Sequence, residues 1–84
     1  MMDLNTVKER IKEFITKSTF IDGARIDNTT MIFKEGILDS MGLVSLIAFL
    51  EEEYKISTDD TDLVEENFET IDAIAAFIGR KSDN

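Results

Sequence analysis

Eighty-four residues, 43% of them hydrophobic, suffice for one domain around a single modest core that buries roughly 60–65% of the unfolded chain's surface. The absence of cysteine and histidine excludes a disulfide framework, thiolate chemistry and the histidine base that a catalytic serine ordinarily needs. A formal charge of −9 repels nucleic acid, and without a long apolar run neither a signal peptide nor a membrane span is expected, so a cytoplasmic protein is the default.

Leu4, Val7, Ile11, Phe14 and Ile15 recur at helical spacing and predict an amphipathic helix over about residues 4–17. Asp3 or Asn5 can cap it, and Lys8, Arg10, Lys12 and Glu13 take its polar side. Residues 18–38 carry no long period. A connection of that length in a compact domain is commonly functional or holds short ordered pieces. Ile21, Ile26, Met31-Ile32-Phe33 and Ile37-Leu38 are expected to pin it across the bundle, with turns at Asp22-Gly23 and Gly36.

A second helix is predicted over about Ser40–Tyr54. Asp39-Ser40 stands where a short side-chain oxygen can accept from a free backbone N–H, and Leu43, Leu46, Ile47, Leu50 and Tyr54 form the inward stripe. Met41, Val44, Ser45 and Ala48 then fall on or near the outer face. Gly42 costs roughly 1 kcal/mol relative to Ala in a first helical turn. Either it leaves room for an attached arm or the wall of a docking enzyme to approach, or it is neutral drift. Glu51-Glu52-Glu53 opposes the helix dipole, a small penalty that local propensity does not explain.

Asp59 or Asp60 can cap a short helix over roughly residues 61–66, with Leu63 and Val64 as its apolar contacts. The acids here lack the alternation, central glycine and terminal glutamate of a calcium loop. Thr70 opens the last helix, whose stripe of Ile71, Ile74, Ala75 and Ile78 is flanked by Phe77. Gly79-Arg80-Lys81 reads as its stop, and Ser82-Asp83-Asn84 as a frayed end.

The charge is uneven. Residues 1–36 hold six acids and six bases, whereas residues 37–79 hold eleven acids against Lys55 alone. Such a field steers a domain toward basic patches on partner proteins. A serine at the start of a helix, beside unpaired N–H groups and the positive dipole end, is also placed to stabilise an attached anionic phosphate.

Gly36-Ile37-Leu38-Asp39-Ser40-Met41-Gly42-Leu43-Val44, followed by Leu46 and Leu50-Glu51-Glu52-Glu53-Tyr54, resembles the acyl carrier and peptidyl carrier proteins. Residues 67–78 are similar to the family's last helix, so the resemblance covers most of the chain. It implies an all-α fold, an acyl-carrier-like bundle of three main helices plus a short third one, with a long loop between the first two. It also implies 4′-phosphopantetheine on Ser40, which would bring in a thiol that the polypeptide lacks. Asp39, Met41, Val44, Ser45, Ala48, Glu51 and Glu52 are then the expected partner-binding residues, since acids here commonly meet basic enzyme surfaces.

The partners so implied are a phosphopantetheinyl transferase, acyl- or aminoacyl-activating enzymes, and downstream synthases or transferases. The protein itself is then a monomeric carrier and no enzyme, shuttling thioester-bound acyl intermediates of fatty acid, polyketide or nonribosomal peptide biosynthesis. Fatty-acid-type carriers usually have acids soon after the serine, where Gly42 and Ser45 stand here. That departure makes a stand-alone aminoacyl, D-alanyl or peptidyl carrier the alternative. A helical interaction domain without a prosthetic group is a further one. Phe33, Leu46, Ile47, Leu50, Ile71 and Ala75 could line a cargo cavity, although the plainer reading makes them core.

Overall fold

A computed structural model describes residues 3–82. Helix α1 runs over Leu4–Thr19, α2 over Ser40–Tyr54, α3 over Glu65–Phe68 and α4 over Ile71–Ser82, with 3₁₀ turns at Gly23–Arg25 and Asp60–Asp62. This is the acyl-carrier-like helical bundle that the sequence resemblance implies. Among the described residues, no helix is long and apolar enough to cross a membrane.

Asp3, and not Asn5, caps α1: its carboxylate accepts from the Asn5 N–H at 3.0 Å and the Thr6 hydroxyl at 3.1 Å. The helix buries Val7, Ile11 and Ile15 and packs chiefly on α4. Phe14 stays at the edge of the stripe and stacks on Phe49 of α2, ring centroids 4.7 Å apart. The helix outlasts its expected end by about one half-turn because Phe20 adopts the left-handed conformation (φ 60°) and returns its N–H to the Thr16 carbonyl at 2.9 Å.

The connection between α1 and α2 is ordered by a few anchors. Ile26, Ile32 and Leu38 are buried in the common core, while Ile21, Phe33 and Ile37 pack at its margin. Asp27 accepts from the Thr29 N–H and from the hydroxyls of Thr29 and Thr30, which holds its carboxyl below the usual range. Two backbone bonds then knit this segment to the far end of the chain: Ile32 N–H to the Glu69 carbonyl (2.9 Å) and Asp72 N–H to the Asn28 carbonyl (3.0 Å).

Two boundaries differ from expectation. The short helix predicted over residues 61–66 is split into the Asp60–Asp62 turn and α3, with half-exposed Leu63 and Val64 between them. Phe68 decides this. Its buried ring packs on Phe77 at 5.2 Å, and Asn67 ties back to the Asp62 carbonyl at 2.8 Å, so the helical turn forms where Phe68 can face α4.

The second difference is at Gly79, which does not stop α4. The Arg80 guanidinium donates to the Asn67 side chain (2.8 Å) and the Lys81 ammonium to Asp62 (2.9 Å), holding the last turn in place through Ser82. Thr70 caps this helix as expected, accepting from the Ala73 N–H at 3.0 Å. Of the expected frayed end, Ser82 is helical, and Asp83 and Asn84 lie outside the described residues.

Candidate functional site

The site begins with how the connection delivers Asp39. Gly36 takes φ 73°, a left-handed turn that glycine adopts without a Cβ penalty. The N–H groups of Ile37 and Leu38 both reach the Ile32 carbonyl, at 2.9 and 3.3 Å, and Leu38 drops into the core. With Ile32 and Leu38 both buried, the next residue has little freedom. Asp39 is the N-cap of α2: its Oδ1 accepts from the Gly42 N–H at 2.9 Å and its carbonyl from the Leu43 N–H at 2.9 Å.

Ser40 is therefore the first residue of α2, and it is exposed. Helix geometry leaves the first backbone N–H groups of α2 without intrahelical acceptors. The hydroxyl thus sits in solvent at the positive end of a 15-residue helix.

Beyond it, Met41, Val44, Ser45, Ala48 and Glu52 recur at helical spacing and are all exposed, Met41 by 73% and Val44 by 62%. With Asp39 beside Ser40, six of the seven residues expected to meet partners lie together on one open face. Glu51 is set apart. Its carboxylate accepts from both the N–H and the hydroxyl of Thr58, each at 2.9 Å, and these bonds hold its pKa below the usual range. Glu53 is also engaged, in an ion pair with Arg10 of α1. Among the described residues, the acidic triplet is divided between one carboxylate without a bond and two that brace the fold, and no local sequence signal marks a bond between residues seven apart across a helix end.

Gly42 receives a different explanation from either one offered by the sequence. A Cβ there would lie 2.8 Å from Leu38 Cδ2 and 3.5 Å from Asp39 Oδ1. The space is filled by this protein's own Leu38, so the glycine lets a core side chain pass under the first turn of α2.

Of the candidate cavity-lining residues, Leu46, Leu50, Ile71 and Ala75 are wholly buried members of the core, and Phe33 and Ile47 pack against it. A shallow hollow of about 220 Å³ does exist nearby, between Phe33, Leu43, Leu63, Val64 and Phe68, with Glu65 at its edge. A second, open groove of about 500 Å³ lies between the end of α1 and the start of α2, lined by the chain neighbours of Ser40, Asp39 and Met41, and not by Ser40 itself.

Comparison with known proteins adds what geometry alone does not. The family described as "Phosphopantetheine attachment site" matches residues 5–78. The D-alanyl carrier protein of Lactococcus lactis subsp. cremoris (strain MG1363) is 36% identical over 77 residues, covering 92% of this chain and 98% of that protein. The corresponding protein of Lactococcus lactis subsp. lactis (strain IL1403) matches equally well. The probable acyl carrier protein PigG of a Serratia species is 32% identical over 63 residues, covering 73% of this chain and 72% of that protein. An exposed serine opening a capped helix, in a helical bundle matched from residue 5 to residue 78, places this chain in the phosphopantetheine-attachment family of carrier proteins.

Proposed function

We propose that Ser40 bears the 4′-phosphopantetheine and that the cargo is an amino acid or another small acyl group, passed as a thioester between biosynthetic enzymes. As a member of its family the chain is a carrier and not an enzyme, and phosphopantetheine is its cofactor. When attached, that group supplies the terminal thiol on which cargo is held.

The observation that carries the choice of Ser40 is its position as the exposed first residue of α2. The surroundings fit a phosphodiester: the N–H groups of Ser40 and Met41 have no intrahelical acceptor, and the helix dipole favours negative charge there. Asp39 fixes that geometry by its cap and leaves the hydroxyl free. With no histidine in the chain, Ser40 has no resident base of the usual kind, so activation falls to a phosphopantetheinyl transferase. The Ser40 oxygen bonds to phosphorus, the phosphoanhydride of coenzyme A breaks, adenosine 3′,5′-bisphosphate leaves, and the hydroxyl proton passes to the transferase.

Small cargo is supported by three features. Gly42 and Ser45 replace the acids usual in fatty-acid-type carriers, two relatives matched over 92% of this chain are named D-alanyl carriers, and the helix-facing positions are solid core. The apolar hollow beside α2, at about 220 Å³, falls below the ~300 Å³ at which small-molecule pockets usually begin. Docking uses the open face of Met41, Val44, Ser45 and Ala48, with Asp39 and Glu52 as its charged ends. Such a face gives fast encounter and quick release, which a shuttle requires.

The test is intact mass after incubation with coenzyme A and a broad-specificity phosphopantetheinyl transferase. Wild type gains one phosphopantetheine, and Ser40→Ala gains none while its circular dichroism stays helical. A gain that survives Ser40→Ala rejects the assignment. Offering the loaded protein to D-alanine-activating and fatty-acid-activating enzymes, and weighing the thioester formed, decides the cargo.

A further inference from the structure

The open groove on the α1 side of Ser40 has a composition that the carrier role by itself leaves unexplained. Its walls come from the last turn of α1 (Ser18, Thr19), from Ile21 and Ile37 of the connection, and from Met41 and Ser45 of α2. Residues on both sides of Ser40 in the chain, Asp39 and Met41, belong to its rim. At about 500 Å³ it lies within the ~300–1,000 Å³ typical of small-molecule sites.

The lining is mixed in polarity. Ile21, Ile37 and Met41 supply apolar surface, and Ser18, Thr19 and Ser45 supply hydroxyls. The Thr19 hydroxyl is already oriented, donating to the Ile15 carbonyl at 2.7 Å and accepting from the Ile21 N–H at 3.4 Å, which leaves one lone pair for a further donor. Gly36, on the same lining, borders open space, with nothing within 4 Å of the place a Cβ would occupy.

A pantetheine arm carries the same mixture of groups. A geminal dimethyl carbon needs apolar contact, and two amides beyond it need hydrogen-bond partners. The hollow on the opposite side of α2, formed by Phe33, Leu43, Leu63, Val64 and Phe68, offers apolar surface but few partners for an amide.

We infer that the groove between the end of α1 and the start of α2 is a resting cradle for the protein's own phosphopantetheine arm. This rests on Ser40 being the attachment residue. The cradle holds the arm along Ile21 and Ile37, with its amides against the hydroxyls of Ser18, Thr19 and Ser45, whenever no enzyme has drawn it out. The hold is weak by design of the surface, since the groove is open and shallow, and an enzyme docking on α2 competes for the arm at little cost.

Loaded protein, its modification verified by mass, is examined by NMR with isotope-labelled polypeptide and an unlabelled arm. Nuclear Overhauser contacts are expected from the geminal methyls to Ile21 and Ile37, together with amide shift changes at Thr19, Ile21 and Ile37 relative to the unloaded protein. Alkylation of the arm's thiol should be roughly threefold slower than that of free pantetheine, as expected when the held arrangement outnumbers the free one by a few to one. Ser18→Trp, at an exposed position that fills the groove, should restore the free rate with an unchanged circular dichroism spectrum.

Loaded protein whose shift changes stop at residues 39–42, or whose methyl contacts go to Leu63, Val64 and Phe68, overturns the cradle while leaving Ser40 intact as the carrier residue. Failure of wild type to load overturns both.

Discussion

Two residues beside Ser40 decide its presentation, and each has a measurable cost. Asp39→Ala removes the acceptor for the Gly42 N–H and should lower stability by about 1 kcal/mol in urea denaturation, with Asp39→Asn retaining most of it. Gly42→Ala would gain roughly 1 kcal/mol from helix propensity alone. Because its Cβ meets Leu38 Cδ2 at 2.8 Å, that gain should be reduced or reversed and should reappear when Leu38→Ala is added. A double-mutant cycle in urea checks it; strict additivity would show that Leu38 swings aside freely. The need for a cap at Asp39 was legible from its place before a helical run. The need for glycine at residue 42 was not, since its neighbour is a side chain whose direction only the folded connection sets.

At the scale of elements, the loop after α2 is held by Glu51. The hydrogen bonds from Thr58 keep the Glu51 carboxyl below its ordinary value of 4.5. A carboxyl lowered on folding contributes stability that is fully present above its unfolded pKa and is lost as pH falls through the folded one. The melting temperature of wild type should therefore exceed that of Glu51→Gln at neutral pH, with the gap closing as pH drops below about 4.5. A gap that persists unchanged at pH 3 would mean that the bond to Thr58 carries no ionic component. Helix periodicity located α1, α2 and α4 because each has an apolar stripe that must be buried. Their ends were less legible. Phe20 closes α1 in a conformation that a bulky residue rarely adopts, and Arg80 and Lys81 extend α4 by bonding to Asn67 and Asp62, partners 13 and 19 residues away.

For the whole molecule, the acidic surplus lies in residues 37–79, the part of the chain that includes α2 and its open face. Of the acidic triplet, Glu52 alone is exposed without a bracing bond among the described residues, so it is the clean probe of steering. Glu52→Lys should slow turnover by a partner enzyme more at ~10 mM salt than at ~150 mM, where the Debye length shrinks from about 30 Å to about 8 Å. Equal slowing at both would assign Glu52 a contact role and no steering role. Reversing Glu51 or Glu53 would confound this measurement, because each also breaks a bond that holds the fold.

The sequence by itself determined that the chain would be helical and acidic, and its resemblance to carrier proteins implied a thiol brought from outside. Hydrophobic spacing, charge counts and missing residue types are properties of the chain read locally. It also determined which serine stands before an amphipathic helix. The tertiary structure decided which carboxylates stay exposed and which brace the fold, why residue 42 is glycine, and where the two hollows beside α2 lie. Those depend on residues far apart in the chain meeting in space, and the identity of a side chain does not say what will be packed against it.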